Sequence, residues 1–81
     1  MFILASQLLN LPIASLDDQS KVGVVRGFFV EPENGRLLGF DVQTGLLQRR
    51  VLAWTDVLET TKEALITQSA ENLVPEEEVL R

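Results

Sequence analysis

The chain has no cysteine, no histidine and no tyrosine, and each absence removes a class of chemistry. Without cysteine there is no disulfide framework, no thiolate nucleophile and no sulfur ligand for a metal. Without histidine the commonest general base is missing, and without tyrosine so is a phenolic acid. Catalysis would have to rest on carboxylates, hydroxyls or lysine alone. Asp17 and Asp18 are adjacent and project in different directions, while Glu31 and Glu33 flank a turn as solvated loop residues. Glu76, Glu77 and Glu78 could gather a hard cation, but three consecutive carboxylates on a helix diverge around its axis and read as a solvated face. Glycine is scarce as well. Gly23, Gly27, Gly35, Gly39 and Gly45 are scattered over strands and turns, and none belongs to a glycine-rich loop opening a helix, as a phosphate cradle requires. The residues therefore point away from an enzyme, with no catalytic, cofactor-binding or metal-ligating set.

Charge of one sign is short too. Residues 1–55 balance Lys21, Arg26, Arg36, Arg49 and Arg50 against Asp17, Asp18, Glu31, Glu33 and Asp41. The net charge of −5 thus falls wholly on residues 56–81, where seven carboxylates face Lys62 and Arg81. Such a field repels phosphate backbones, so direct nucleic-acid binding is not expected. Arg49-Arg50 is the one adjacent basic pair. Long hydrophobic runs are also missing. MFILASQLLNLPI has no basic leader, is interrupted by Ser6, Gln7 and Asn10, and stops at Pro12, so it reads as part of the fold and not as a signal peptide. No membrane insertion is expected, and the cytoplasm is the expected location. With 46% apolar residues against 23% charged, the 81 residues suffice for one core and one domain.

What is present is a pattern of short strands. Val22 to Val42 holds two apolar segments around Glu31-Pro32-Glu33-Asn34-Gly35, where Pro32 presets φ for a turn and Gly35 supplies the positive φ that closes a hairpin. Arg26-Gly27 interrupts the first segment and marks a bulge, with Val25, Phe28 and Val30 expected inside. In the second, Leu38, Phe40 and Val42 alternate with Leu37, Gly39, Asp41 and Gln43, which places the former set inside. Ser6 to Leu9 predicts a helical turn with Leu8 and Leu9 packed inward, and Ile13–Leu16, Gln48–Trp54, Val57–Thr60 and Ala64–Thr67 predict further strands. Leu52 and Trp54 are expected in the core, with a half-buried rim as the alternative for Trp54. Ser69 to Leu73 predicts a last helical turn, and Pro75 onward a linker or a helix onset. The expectation is an all-β protein, a small closed five- or six-stranded antiparallel β-barrel with short helical turns near the termini.

The order of these signals over residues 3–67 resembles the PRC-barrel family. Ala5-Ser6-Gln7-Leu8-Leu9-Asn10 is similar to that family's opening segment, with Asn10 in place of the usual glycine. Gly23-Val24-Val25, Glu31-Pro32-Glu33-Asn34-Gly35 and Val51-Leu52-Ala53-Trp54-Thr55-Asp56-Val57 follow in order, with Glu31 and Ala53 departing from the usual Asp and Pro. The resemblance implies a barrel domain over residues 1–69 and an acidic extension or linker over 70–81. It also implies a role in assembly, since the family includes the cytoplasmic barrel of the photosynthetic reaction-centre H subunit, the C-terminal domain of a ribosome maturation factor and small standalone proteins.

The expected function is a non-enzymatic protein-interaction module that self-associates, a homodimer being the simplest form. The alternatives are an accessory factor in RNA processing or ribosome assembly, and a photosynthetic or quinone-linked subunit. The candidate interaction residues are Phe29, Leu37, Leu46 and Leu47, apolar residues without an assured inward place, with Arg49 and Arg50 beside them; the alternative is that Leu46 and Leu47 fold back over an open barrel end, and Phe29 and Leu37 carry the same ambiguity.

Overall fold

The computed structural model of the chain describes residues 5–46 and 48–75. A single helical turn, α1 (Ala5–Leu8), precedes seven strands: β1 (Pro12–Ser15), β2 (Ser20–Val30), β3 (Leu37–Thr44), β4 (Gln48–Ala53), β5 (Val57–Thr60), β6 (Leu65–Thr67) and β7 (Leu73–Pro75). Short 3₁₀ turns at Trp54–Asp56 and Ala70–Asn72 lead into β5 and β7. The fold is all-β, as the alternation predicts. Asn10 leaves α1 with φ 70°, and its amide donates to Val25 O while the Val25 amide donates to Leu11 O, both at 2.9 Å, so the turn is stitched onto β2.

The β2–β3 hairpin forms as its residues dictate. The Glu31 amide donates to Arg36 O and the Gly35 amide to Glu31 O, each at 2.8 Å, and Gly35 takes φ 69°. Asn34 Oδ1 accepts from the Arg36 amide at 2.9 Å. A side-chain carbonyl closing on an amide two residues onward is the reason asparagine favours such turns. Gly45, at φ 73°, turns β3 into β4.

The strands form one sheet in the order β5-β6-β1-β2-β3-β4-β7. Three features correct the expected barrel. The described residues form seven strands, not five or six. The sheet is mixed, because β1 pairs with β6 in parallel, Ile13 opposite Leu65 and Ser15 opposite Thr67. Among the described residues no ladder joins β5 to β7, so the sheet curls into a half-barrel without closing. Hairpin signals report only strands adjacent in sequence, and the parallel contact lies between strands far apart in it. The seventh strand was hidden because its three residues follow a capped turn: Ser69 Oγ accepts from the Glu71 amide at 3.2 Å, and Asn72 Oδ1 accepts from the Ser69 amide at 3.0 Å. The sheet therefore runs on to Pro75, past the boundary drawn at residue 69, and residues 76–81 lie outside the described residues.

The core fills the inner face of the curl. Leu8, Ile13, Val25, Phe40, Val42, Leu52, Leu65 and Leu73 are buried together, and Phe28, Leu37 and Val57 pack against them. Phe40 meets Phe28 edge-on at 6.0 Å and Trp54 at 6.1 Å between ring centroids. The expectation for Val25, Phe40, Val42 and Leu52 is met, but Val30 and Leu38 are half exposed, and Leu9 also faces solvent. The register explains Leu38, while Val30 is exposed as the last residue of β2. A bulge at Arg26 lets Val25 and Phe28 both face inward, as the sequence predicts. A second one follows that it does not predict: Phe29 pairs with Gly39 but Val30 pairs with Leu37, so Leu38 is the extra residue. One skipped residue reverses the faces, turning Leu37 inward and Leu38 outward. Trp54 takes the rim position.

Candidate functional site

The outer face of β2, β3, β4 and β7 carries the most distinctive surface. The ladders set its rows: Phe29, Gly39 and Ala53 form one, and Gly27, Asp41, Val51 and Val74 the next. Val24, Gln43 and Arg49 form a third. Gly39 is where the first row must be thin, since a Cβ there would stand 2.7 Å from Leu52 O. Over that floor lies a groove of about 340 Å³ walled by Phe29, Val30, Leu38, Val51 and Val74. The hidden bulge builds it, by delivering Leu38 to the same side as Phe29, and Val30 at the end of β2 completes the wall.

Asp56 and Asn72 edge the groove. Both are tied to Thr67, a fully buried hydroxyl in β6. Thr67 Oγ lies 2.9 Å from Asp56 O and 3.1 Å from Asn72 Oδ1, sharing its one proton between two acceptors. The two 3₁₀ turns that carry this edge are thereby held to each other.

Below the groove the face turns polar. Arg49 Nη1 donates to Asp41 Oδ2 at 3.1 Å, while Asp41 Oδ1 is buried and unpartnered. Arg49 is still about half exposed, so the pair adds only about 0–1 kcal/mol. Arg50, the next residue along the strand, donates instead to Leu73 O at 3.4 Å. Adjacent strand residues face opposite ways, so the two arginines do not form a joint basic patch.

The sequence-derived candidates thus separate. Phe29 lines the groove; Leu37 packs on the inner core; Leu46 stands 91% exposed on the β3–β4 turn; Leu47 lies outside the described residues. Val30, Leu38, Val51 and Val74 were not among the candidates. The signal that could have found Leu38 is the Leu37-Leu38 doublet beside a hairpin end, where one of two adjacent apolar residues must face out. The chain matches no protein-family model and no curated protein.

Proposed function

We propose that the chain is a non-enzymatic assembly module of the PRC-barrel type that associates with a second copy of itself through the groove on its outer face. The observation that carries this reading is the bulge that exposes Leu38 beside Phe29 and Val30, when a regular ladder would bury it. Leu37 takes the inward place, so the core loses no leucine, and the half-exposed Leu38 has roughly half of the about 1.5–3 kcal/mol of full burial still to gain from contact with another chain. A second copy suits the dimensions. The surface measures 5837 Å², and a standard interface of about 800 Å² per partner covers roughly a seventh of it. The apolar walls and the Asp56–Asn72 edge reproduce the apolar centre and polar rim of such interfaces. A pairing of like faces about a two-fold axis closes on itself and stops at the dimer.

Sedimentation equilibrium of the wild-type chain and of Leu38→Asp tests this. A wild-type dimer that Leu38→Asp converts to monomer, with the far-ultraviolet dichroism unchanged, is the expected result. A wild-type chain that stays at 9.0 kDa at high micromolar concentration defeats the reading.

A further inference from the structure

A second recess of about 260 Å³ lies at the other end of the β2–β3 ladder, bounded by Lys21, Val24, Arg26, Gln43 and Gly45. It differs from the groove in kind. Two of its residues are cations and none is a carboxylate, in a chain whose acidic groups outnumber its basic ones by 12 to 7. Arg26 sits on the bulge between Val25 and Gly27, which pushes its side chain out of the regular ladder. There the guanidinium is held from two directions. Its Nε donates to Gln43 Oε1 at 2.9 Å and its Nη1 to Asn10 Oδ1. Gln43 is itself fixed, because Nε2 donates to Gly45 O and Leu46 O, both at 3.1 Å. Asn10 holds its place through the left-handed turn after α1.

Both acceptors that hold Arg26 are neutral amides. They orient the guanidinium without cancelling its charge, and they leave it further N–H groups, since arginine carries five. Lys21 adds a second cation, and neither forms an ion pair among the described residues, where Arg49–Asp41 is the one such contact. Arg49 shows the contrast: its partner is a carboxylate, and its charge is spent. An arginine oriented by neutral groups, with an unpaired lysine in the same recess, has the donor chemistry of an oxyanion site.

We infer that this recess binds a small oxyanion, a phosphoryl or carboxylate group, through Arg26 and Lys21. The site lies apart from the dimerisation groove and does not depend on it. Inorganic phosphate and acetate, each titrated into the ¹⁵N-labelled chain at constant ionic strength with chloride as the comparison ion, test the inference. The expected result is a saturable shift of the Arg26 Nε–H and of the Gly23 and Gly45 amides with at least one oxyanion, and none with chloride. The tighter of the two identifies which group fits. Lys21→Gln removes one charge-assisted bond and weakens binding roughly tenfold, and Arg26→Gln abolishes the saturable phase. Lys21→Gln makes the result secure if Arg26→Gln disturbs the Asn10 and Gln43 contacts, because no bond of the fold involves the Lys21 side chain among the described residues. The same titration of Leu38→Asp gives the same curve. Equal, unsaturated shifts with all three ions, or full phosphate affinity in Lys21→Gln and Arg26→Gln, would overturn it.

Discussion

Phe40 has no exposed surface and packs its ring between Phe28 and Trp54, so it is the side chain on which the inner face closes. Phe40→Ala is expected to cost about 3–5 kcal/mol, a large part of the roughly 5–15 kcal/mol that holds a small domain together. A urea melt with an unchanged slope and a midpoint lowered to match checks it. Phe40 was legible because Phe40 and Val42 keep a strict period of two. Leu38 obeys the same period in sequence and breaks it in space, since a bulge leaves no mark in alternation unless a glycine or charge interrupts the run, as Arg26-Gly27 does. Asp18 offers a pH test at the same scale. Its carboxylate accepts from the Ser20 hydroxyl at 2.7 Å and the Ser20 amide at 3.2 Å. The hydroxyl bond chiefly holds its pKa below the ordinary 3.8, the small loss of hydration opposing it. A carboxylate with a lowered folded-state pKa stabilises the fold above its unfolded value and loses that contribution as pH falls through the lowered one. The Asp18 titration, followed by NMR, is expected to have its midpoint below 3.8 and to return toward that value in Ser20→Ala.

Among the elements, β7 departs furthest from what the residues announce. It contributes Leu73 to the core, covers β4 from Arg50 to Leu52, and supplies Val74 to the groove. A chain ending at Gln68 is expected to lose at least the roughly 1.5–3 kcal/mol of burying Leu73, seen as a lower urea midpoint, and to lose self-association with it. The β2–β3 hairpin stands at the other extreme. Its turn is set by Pro32, Asn34 and Gly35 through local bonds, and local bonds are what sequence reports. β7 is only three residues long and is defined by partners contributed from β4, so no window of its own residues contains the information.

For the molecule as a whole, the curl puts one apolar set inside and leaves a second outside, and an 81-residue chain that fails to cover both has surface to give to a partner. The class of the fold was readable from strand spacing. The placing of the groove was not, because it depends on a one-residue register change and on a strand arriving from the far end of the sequence. Association through Phe29, Val30 and Leu38 is expected to depend only weakly on salt, since the walls are apolar and the carboxylate of Asp56 lies at the edge, whereas oxyanion binding by Lys21 and Arg26 weakens as salt rises.

The parallel ladder of β1 and β6 sets the order of events during synthesis. One edge of β1 pairs early with β2, but on the other Ile13 and Ser15 meet Leu65 and Thr67, and the Leu16 and Asp17 amides extend that contact to Thr67 O and Gln68 O. During synthesis β1 therefore keeps one edge unpaired until β6 has emerged. The hairpins from β2 to β4 can form meanwhile, but Ile13 and Leu65 can share the core only after translation has passed them both. Closing so long a loop is expected to slow folding relative to a sheet of hairpins alone, and it leaves an exposed β-edge in the interval.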